Sequence, residues 1–404
     1  MRKKWLYVVF GLLGLILCLF LYVYFNFYHT GDDKKNNVSV PAKGTADNIP
    51  IVTKNTMSAS QAVRDMKIGW NLGNTLDCCD FTKAGNVIHY ETLWGNPITN
   101  GQMIKEVSDA GFGAVRVPVT WYDHLDGNYK IDEAWMKRVE EVVQYVLENG
   151  MYCIINLHHE EAWLNADSET EQQCEEHLET VWRQIADRFQ GYGGKLLFEG
   201  FNEVLDENKN WTGTEASSYE TVNRLNQVFV NVIRQGAGFN KERYLIVNTY
   251  GASPDHDAVD NFRLPADAVE NRLIVQIHTY MPQEFTWTKK EVFWTEVRNN
   301  WNASKDEHEI DMILERLNRK FVSNGVPVIL GEFGAWDKNN TGERVKYAKY
   351  VVSSARQYGI TCFWWDTGGD FKTYGDSKAS ALLNRIDLSW YYREIVDALI
   401  EASK

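Results

Sequence analysis

The sequence predicts an α/β fold with a single (β/α)8 TIM barrel, and two observations lead to this class. Eight short apolar runs follow one another along the chain, and segments with helical periodicity separate most of them. Such alternation of strands and helices is typical of a parallel sheet. With eight units in one segment of domain size, we expect closure into a barrel rather than an open sheet.

The predicted strands are apolar runs that end in polar residues. They cover Ile68–Asn74, Ala114–Val119, Tyr152–His158, Leu196–Glu203, Tyr244–Thr249, Leu273–Tyr280, Val326–Glu332 and Ile360–Asp366. The polar residues toward their C-terminal ends are Asn71, Asn74, Arg116, His158, Asn202, Glu203, Asn248, His278, Tyr280, Glu332, Trp365 and Asp366. Because the carboxyl ends of barrel strands form the catalytic face of this fold, the polar ring predicts an active site there.

Helical patterns lie between the strands. The clearest one begins at Asp132, a residue type that caps helices, and Gly150 ends it. Its apolar face comprises Trp135, Val139, Val142, Val143, Val146 and Leu147. Similar periodic patterns cover Leu178–Phe189, Val222–Ile233, Ile310–Phe321 and Arg344–Gln357.

The first residues carry a membrane-targeting pattern. Arg2-Lys3-Lys4 precedes an uncharged run from Trp5 to Tyr28, which is long enough to cross about 30 Å of hydrocarbon. No Ala-x-Ala-like cleavage site is obvious, so we expect an uncleaved signal anchor, with a cleaved signal peptide as the alternative. Residues 1–29 are predicted as the signal anchor or signal peptide, 30–57 as a polar linker and 58–404 as the barrel domain. The barrel would be extracellular, either anchored at the cell surface or secreted.

The composition narrows the class of ligand. A formal net charge of −13 argues against nucleic acid or an anionic membrane surface as the partner of the domain, and it suits a neutral substrate. The chain contains 15 Trp and 20 Tyr, and aromatic faces suit the apolar faces of sugar rings. Its six cysteines show no CxxC or Cys/His ligand spacing. We therefore expect neither a zinc site nor a disulfide framework, with mostly free or buried thiols and room for one disulfide.

Two carboxylates at strand ends, Glu203 and Glu332, are the strongest catalytic candidates. A carboxylate at the tip of an apolar strand is costly to bury unpaired, and two of them at one barrel mouth suggest an acid and a nucleophile that flank a sugar bond. Arg116 alternates with valines that would pack against helices, so its side chain should point into the mouth. A buried arginine needs an anion. Glu332 is the natural partner, and a structural ion pair with another acid is the alternative.

Histidine and tryptophan residues near the strand ends supply further candidates. His158 should point inward by strand parity, and His159 should then face the opposite way if the strand persists. The His-His-Glu run is not the HExxH helix motif, which disfavours a zinc hydrolase. Of the adjacent Trp364 and Trp365, we expect Trp365 to face the substrate. Trp94 lies in a loop, where it could stack on a sugar or simply pack the loop.

Taken together, these segments resemble glycoside hydrolase family 5, a clan A family of retaining enzymes. The resemblance is greatest to its subfamily 4 of bacterial endo-β-1,4-glucanases, xyloglucanases and lichenases. The matching segments span nearly the whole domain in the same order, and their combination is far more specific than any one of them. They are Ile68–Leu76, Trp94–Pro97, Val115–Trp121, Ile155–Glu160, Glu199–Glu203, Ile277–Tyr280, Gly331–Gly334 and Phe363–Asp366.

The resemblance implies a function and a role for each matching residue. It implies a cellulase that cleaves internal β-1,4 bonds of soluble β-glucans without metal or organic cofactor. Glu203 would be the general acid/base and Glu332 the nucleophile. Asn202 would hydrogen-bond the 2-hydroxyl of the cleaved sugar, and Arg116 with Tyr280 would hold the nucleophile. The other implied substrate-binding residues are His158, His278, Trp365, Asn74 and Trp94.

The sequence leaves alternatives open. Xyloglucanase, lichenase and β-mannanase activities of the same fold differ through loop shape, which the motifs do not separate. A non-catalytic, surface-anchored carbohydrate-binding protein also fits the anchor and the aromatic content, although binding alone does not require two acids beside Arg116. A metal-dependent barrel hydrolase is the third alternative. The expected partners are a β-glucan polysaccharide or oligosaccharide and, through the N-terminal segment, a membrane. No nucleic acid is expected, and the protein is expected to be a monomer.

Overall fold

The computed structural model describes residues 57–212, 214–287, 297–369 and 379–404. Its strands are β1 Gly69–Leu72, β2 Ala114–Val117, β3 Tyr152–Asn156, β4 Leu196–Glu199, β5 Leu245–Asn248, β6 Leu273–His278, β7 Val328–Phe333 and β8 Thr361–Asp366. They pair in sequence order, every pair is parallel, and β8 closes on β1. The predicted (β/α)8 barrel is therefore confirmed.

Several strands are shorter than the apolar runs that predicted them. The run Leu196–Glu203 stops being a strand at Glu199, and the run Tyr152–His158 stops at Asn156. The apolar pattern continues past these ends because Leu157 and Phe201 are buried beneath the loops of the mouth. Single hydrogen bonds replace the ladder there, such as Asn202 N–H to the Leu157 carbonyl at 2.9 Å. Loops that are buried in this way have the composition of strands.

Each of the five periodic patterns coincides with a helix, and the described residues form further helices that were not predicted. The described α-helices are α1 Ala59–Asp65, α2 Val87–Glu91, α3 Gly101–Ala110, α4 Glu133–Glu148, α5 Glu171–Arg188, α6 Ala216–Gln235, α7 His256–Asn261, α8 Gln283–Thr286, α9 His308–Lys320, α10 Thr341–Gln357 and α11 Arg393–Ala402. Short 3₁₀ turns cover Tyr122–His124, Gly238–Lys241, Tyr250–Ala252 and Val322–Asn324, and a π-helical turn covers Ala303–Glu307. The five predicted helices correspond to α4, α5, α6, α9 and α10.

Helix α4 shows how local sequence sets the boundaries of a helix. The Asp132 carboxylate accepts hydrogen bonds from the N–H groups of Ala134 at 2.8 Å and Trp135 at 3.0 Å, which satisfies two donors of the first turn. Beyond the other end, Gly150 adopts a positive φ of 73°. The predicted apolar face is buried except for Leu147, which is only partly covered.

The N-terminal end of the barrel is closed by apolar packing. Ser58 caps α1 with a reciprocal capping box, and the α1 side chains Ala59, Ala62 and Val63 join the apolar cluster inside the barrel. The inward strand residues of this cluster are Ala114, Tyr152, Ile154, Leu197, Ile246, Ile274, Ile329 and Phe363. Filling this end leaves only the carboxyl ends of the strands open to ligands.

The structure tests only some of the remaining predictions about the whole chain. Cys78, Cys79, Cys153, Cys174 and Cys362 are buried and free, so the described part contains no disulfide. Across the described ranges no helix has the length and apolar character needed to span a bilayer. The predicted signal anchor at 1–29 and the linker up to residue 56 lie outside the described residues.

Candidate active site

Arg116 lies at the centre of the barrel mouth. The side chain is completely buried on β2, and all five of its N–H donors have acceptors. Nε and Nη2 donate to the two carboxylate oxygens of Glu199, at 2.7 Å each. Nη1 donates to Glu332 Oε1 at 2.7 Å and to Asn71 Oδ1 at 3.0 Å, and Nη2 also donates to Asn202 Oδ1 at 2.8 Å. A guanidinium with every donor used is held in one orientation.

Glu199 is the site residue that sequence reasoning did not assign. Glu332 does pair with Arg116, as predicted, but Glu199 forms a bidentate ion pair with the same guanidinium, and both Glu199 and Arg116 are fully buried. Burial alone would raise the pKa of Glu199, but the charge of Arg116 and its hydrogen bonds lower the pKa below the usual value. The sequence does contain one indication of this role. Glu199 lies two residues after the inward-facing Leu197 on the same strand, so its side chain should also point inward.

A register shift turns Glu332 toward the mouth. Ile329 points into the barrel, so strict alternation along β7 would direct Glu332 to the helical shell. The pairing between β6 and β7 shifts here, and His278 pairs with Glu332. Gly331 makes the shift feasible, because a Cβ at this position would lie 2.2 Å from the Gln276 side-chain oxygen. The extra residue re-aims the carboxylate, which is a known use of a bulge beside an active site.

Tyr280 and His278 contact the two candidate carboxylates. The Tyr280 hydroxyl donates to Glu332 Oε2 at 2.8 Å. His278 Nδ1 lies 2.7 Å from Glu203 Oε1 and 3.7 Å from Glu332 Oε1. Both residues thus lie where they were predicted, on the same side of the β6 segment, although β6 itself ends at His278.

Glu203 lies in the loop after β4 rather than at the tip of the strand. Its position is defined by the preceding residues, because the Asn248 side-chain amide donates to the carbonyls of Phe201 at 2.6 Å and Asn202 at 2.8 Å. The oxygen of the Asn202 side chain is taken by Arg116, which leaves the Asn202 amide hydrogens for another acceptor. Asn248 was noted at a strand end in the sequence, but its holding role was not visible there.

The two predicted carboxylates share one pocket. A carboxylate oxygen of Glu203, a carboxylate oxygen of Glu332 and a ring nitrogen of His278 all lie within 4.8 Å of one another. Retaining glycosidases hold their two carboxyl groups about 5–5.5 Å apart, whereas inverting enzymes leave a wider gap for water. The proximity of Glu203 and Glu332 therefore has the geometry of a retaining site.

The surroundings of Glu203 and Glu332 give the two carboxyl groups different protonation states. Burial raises the pKa of Glu203 to about 7, although 27% of its side chain is accessible from the mouth. Burial also raises the pKa of Glu332, but Arg116 and the Tyr280 hydroxyl favour its ionised form. Burial lowers the pKa of His278 to about 4, so the imidazole beside Glu203 is neutral. The shared proton therefore resides on Glu203.

His158 and Trp365 stack on each other at the carboxyl ends of β3 and β8. Their rings are nearly parallel, at 6° with centroids 5.7 Å apart, whereas Trp364 is fully buried and contacts Phe333. Asn156 fixes the His158 tautomer: its side-chain oxygen accepts from a backbone N–H at 3.0 Å, so its nitrogen is the donor toward His158 Nδ1 at 3.2 Å. The proton of the neutral ring is then on Nε2, which can donate to a hydroxyl.

Asn74 and Trp94 lie in loops that follow β1. Asn74 is 3% exposed with a positive φ of 56°, and its side-chain nitrogen has no hydrogen-bond partner among the described residues. Trp94 is partly exposed, and its ring meets His159 edge-on at 5.9 Å. No hydrogen bond joins either residue to Glu203 or Glu332 in the described part of the chain, so their substrate-binding roles stay predictions.

The strand does not persist through the two histidines, so the condition for placing them on opposite faces is not met. His158 and His159 would lie on opposite faces of a continuing strand, but β3 ends at Asn156, and beyond it the two rings meet edge to face at 4.6 Å. Together with Asp77 they form a group whose ligand atoms lie within 4.8 Å of one another. The group does not suit a metal, because a ligating histidine normally donates its second ring nitrogen to an acceptor, and the second nitrogen of His158 faces the Asn156 donor.

The other candidate metal group in the described part consists of the two candidate carboxylates, Glu203 and Glu332, with His278. Arg116 already donates to Glu332 Oε1 at 2.7 Å, so a cation occupies the place where a metal ion would contribute its charge. The donor set fits proton transfer and nucleophilic attack better than metal binding. The fold and the carboxylate geometry together define a retaining glycoside hydrolase.

Comparison with known proteins narrows this class. The family model for cellulase (glycosyl hydrolase family 5) matches residues 77–370. Endoglucanase A of Clostridium longisporum is 39% identical over 351 residues, which is 86% of this chain and 66% of that protein. The chain therefore belongs to the cellulase family, glycosyl hydrolase family 5, and the resemblance seen in the sequence is confirmed.

Solved structures agree with the family. A GH5-4 broad-specificity endoglucanase from Ruminococcus champanellensis with bound cellotriose superimposes with a TM-score of 0.80 at 39% identity, covering 86% of this chain and 99% of that one. A family 5 lichenase from Caldicellulosiruptor sp. F32, a mutant in complex with cellotetraose, gives a TM-score of 0.80 at 37% identity, covering 90% of this chain and all of the other, 100%.

Proposed function

We propose that this protein is a retaining endo-β-1,4-glucanase that hydrolyses internal bonds of soluble β-glucans by double displacement. The observation that carries the proposal is the position of Glu203 and Glu332, whose carboxylate oxygens lie within 4.8 Å of each other at the barrel mouth. Their different surroundings support different roles. Glu332 is paired with Arg116, whereas Glu203 contacts the neutral His278 and retains its proton near neutral pH.

In the first step Glu332 attacks the anomeric carbon. The bond from its carboxylate oxygen to this carbon forms while the glycosidic bond breaks, and Glu203 gives its proton to the departing oxygen. Arg116 and Tyr280 hold the attacking carboxylate in place through hydrogen bonds of 2.7 and 2.8 Å. Because the Asn202 side-chain oxygen accepts from Arg116, the Asn202 amide hydrogens point away from the guanidinium. They are available to the 2-hydroxyl of the sugar.

In the second step water releases the sugar. Once Glu332 is esterified its negative charge is gone, so the pKa of Glu203 falls and its carboxylate acts as base. Glu203 removes a proton from water, the water oxygen bonds to the anomeric carbon, and Glu332 leaves as a carboxylate. The configuration at the anomeric carbon is retained because it is inverted twice.

The proposed substrates are soluble glucans with β-1,4 linkages. Two structural relatives were solved with cellotriose and cellotetraose, and one of these relatives is a lichenase. Mixed-linkage glucan is therefore the first alternative substrate, ahead of xyloglucan and mannan. A panel of the purified polysaccharides with reducing-sugar readout and analysis of product length would rank them. Early release of long products from carboxymethylcellulose would support the endo mode.

Two substitutions test the assignment of the acids. Glu332→Gln should abolish turnover of every glycoside without unfolding the barrel, and full activity would reject Glu332 as nucleophile. Glu203→Gln should impair polysaccharides strongly but spare activated aryl cellobiosides in their first step, because a good leaving group needs no acid. Binding of glucan by the wild type without any bond cleavage would instead favour a non-catalytic carbohydrate-binding protein.

We also propose that the barrel is displayed outside the cell, either tethered through residues 1–29 or secreted as a monomer. Arg2-Lys3-Lys4 and the uncharged run from Trp5 to Tyr28 support this location. When cells that express the full chain are fractionated, glucanase activity should be found on the outer face of the cell membrane or in the medium. The mass of the recovered protein would tell an anchored chain from a cleaved one, and sedimentation would report the oligomeric state.

A further inference from the structure

Three polar side chains inside the barrel have hydrogen-bonding atoms without partners. Asn248 lies on β5, and Gln276 and His278 lie on β6. Asn248 and Gln276 are 0% exposed, and His278 is 4% exposed. Asn248 Oδ1, both amide atoms of Gln276 and His278 Nε2 have no hydrogen-bond partner among the described residues. Buried polar atoms are rarely left unpaired, so these atoms point to a small polar ligand inside the barrel.

The strand register makes the three side chains neighbours. Ile246 and Ile274 are Cα partners on β5 and β6, and both belong to the apolar cluster inside the barrel. Two residues further along, Asn248 and Gln276 are also Cα partners, so they point inward from strands that lie about 4.8 Å apart. His278 follows Gln276 on the same face, about 6.6 Å along the strand. A molecule the size of water can contact all three.

The orientation of the Asn248 amide is fixed by the loop after β4. Its nitrogen donates to the carbonyls of Phe201 at 2.6 Å and Asn202 at 2.8 Å. A carbonyl can only accept, so the nitrogen has to face this loop and Oδ1 is the free end of the amide. Any group that binds to Asn248 Oδ1 must donate a proton to it.

The Gln276 amide is oriented by its contact with Gly331. A Cβ at Gly331 would lie 2.2 Å from Gln276 Oε1, and the next closest atoms are Cδ and Cγ of the same side chain. The oxygen is therefore the end of the amide that lies against β7, and Nε2 is the end farther from it. An amide nitrogen can only donate, so Gln276 offers a proton on the side away from Gly331.

One water molecule satisfies three of these atoms. An internal water in a protein typically makes about three hydrogen bonds to buried polar groups. Here it would donate one proton to Asn248 Oδ1, accept from Gln276 Nε2 and donate its other proton to His278 Nε2. Gln276 Oε1, which lies against Gly331, is the one atom that this water does not reach. Because His278 Nε2 then accepts, the single proton of the neutral ring is on Nδ1.

This tautomer decides which oxygen of Glu203 carries the acid proton. His278 Nδ1 lies 2.7 Å from Glu203 Oε1. A protonated Nδ1 donates to that oxygen, so Oε1 accepts and the carboxyl proton is on Oε2. In the other tautomer Nδ1 would be the acceptor, and the carboxyl proton would be held between Glu203 and the ring. Only the first arrangement leaves the proton available to the glycosidic oxygen.

We propose that Asn248, Gln276 and His278 bind an internal water molecule, and that Gln276 is a positioning residue that fixes the His278 tautomer through this water. The inference rests on the proposed glucanase function and deepens it, because it explains how the proton of Glu203 is directed to the departing sugar. The water takes no part in the bond changes of either step.

The competing explanation is that Gln276 only packs against Gly331 and supports the shift in register that aims Glu332. The nucleophile is needed for every substrate, whereas the acid is needed only when the leaving group is poor. The two explanations therefore predict different losses on a cello-oligosaccharide and on an activated aryl glycoside when the Gln276 amide is removed.

Two measurements on the wild type test the water and the tautomer directly. Nitrogen-15 NMR of the histidine rings, at a pH below the pKa of about 7 of Glu203, should show His278 with Nδ1 protonated and Nε2 unprotonated. The resonances of His278 are identified by their loss in His278→Gln. A high-resolution crystal structure should show a water within hydrogen-bonding distance of Asn248 Oδ1 and His278 Nε2. A proton on Nε2, or a site without water, would overturn the proposal.

Gln276→Met tests the role of the amide, because methionine has nearly the same length but no N–H donor. The variant should lose about fivefold in kcat/KM on cellopentaose, the factor that one hydrogen bond is worth. It should keep the wild-type kcat/KM on 2,4-dinitrophenyl β-cellobioside, whose departing group needs no acid. Ile274→Met is the matched control, since it changes packing on the same face of β6 without removing a polar group, and it should change neither value.

The substrate dependence separates the remaining outcomes. Equal losses on both substrates would overturn the proposal and assign Gln276 to packing against Gly331. An unchanged rate on cellopentaose would show that the amide does not control the tautomer. A wild type that is inactive on every glycoside would instead reject the glucanase function, and the water and the tautomer would then be judged from the NMR and crystallographic results alone.

Discussion

Replacing Glu199 with glutamine tests the arrangement on which both catalytic acids depend. In the wild type, Glu199 Oε1 accepts from Arg116 Nη2 and from the Asn156 amide, and Oε2 accepts from Arg116 Nε, at 2.7–2.8 Å. A glutamine oxygen at the Oε1 position keeps the first two hydrogen bonds. Its amide nitrogen then faces Arg116 Nε, which is also a donor. The substitution therefore removes one charge and leaves one buried N–H of the guanidinium without an acceptor.

The cost in stability follows from burial. Glu199 and Arg116 are both 0% exposed, and breaking a buried ion pair by removing one partner costs about 3–5 kcal/mol. Domains unfold with about 5–15 kcal/mol, so Glu199→Gln should fold but denature at clearly lower urea concentration. Glu179→Gln removes an acid of the exposed pair with Arg183 on α5, where less than about 1 kcal/mol is expected. It is the matched control.

The same substitution should move the pH dependence of the reaction. The negative charge of Glu199 helps to raise the pKa of Glu203 and shares the positive charge of Arg116 with Glu332. Without it, Arg116 acts on Glu332 alone, so the pKa of both catalytic acids should fall. Activity needs protonated Glu203 and ionised Glu332, so both limbs of the profile of kcat/KM against pH should shift toward acid.

Two measurements decide the outcome. Urea unfolding, followed by tryptophan fluorescence, gives the loss of free energy for Glu199→Gln and Glu179→Gln. Hydrolysis of cellopentaose across the pH range gives the positions of the limbs. A Glu199→Gln protein with the stability of the control and unmoved limbs would refute the view that Glu199 holds Arg116 in place.

Four further outcomes are expected. In the wild type, kcat/KM on cellopentaose should fall on the alkaline side with a midpoint near the pKa of about 7 of Glu203; with Glu203→Gln, the first step on an activated aryl cellobioside should show no such limb. Tyr280→Phe removes the 2.8 Å hydrogen bond to Glu332, so kcat should fall about tenfold or more and the acid limb should move to higher pH; an unchanged acid limb would count against this contact. Asp132→Ala removes the cap of α4 and should cost about 1 kcal/mol in thermal unfolding while kcat/KM stays constant. Prolonged treatment with EDTA should leave the rate unchanged, whereas loss of activity that zinc restores would support the metal-dependent alternative.

The proposed catalytic pair shows what could be predicted from the sequence and what could not. Glu203 and Glu332 were predicted as partners from their place at the ends of apolar runs, and the structure does bring them together. The route differs from the prediction in both cases. Glu203 lies in a buried loop beyond β4, and Glu332 is re-aimed by the shift in register between β6 and β7. Local alternation does not contain this information, because the shift depends on how Gly331 meets Gln276 across two strands.

Arg116 illustrates the same division for electrostatics. Its alternation with apolar neighbours predicted that it points inward, and its burial with an anionic partner followed from the cost of an unpaired charge. The sequence did not show which acids lie close to Arg116, because this depends on the geometry of the closed barrel. Glu199 and Glu332 come from strands that are far apart in the chain, and only the closed barrel brings both within 2.7 Å of the guanidinium.

The amino-acid sequence by itself determined the order of the eight strands, five of the helices between them and the chemical identity of the acids. These depend on periodicity and composition, which act over a few neighbouring residues. Only the tertiary structure decided the second acid on Arg116 and the tautomer of His158. Those features depend on strand register and loop packing between distant segments, and such contacts exist only after the barrel has closed.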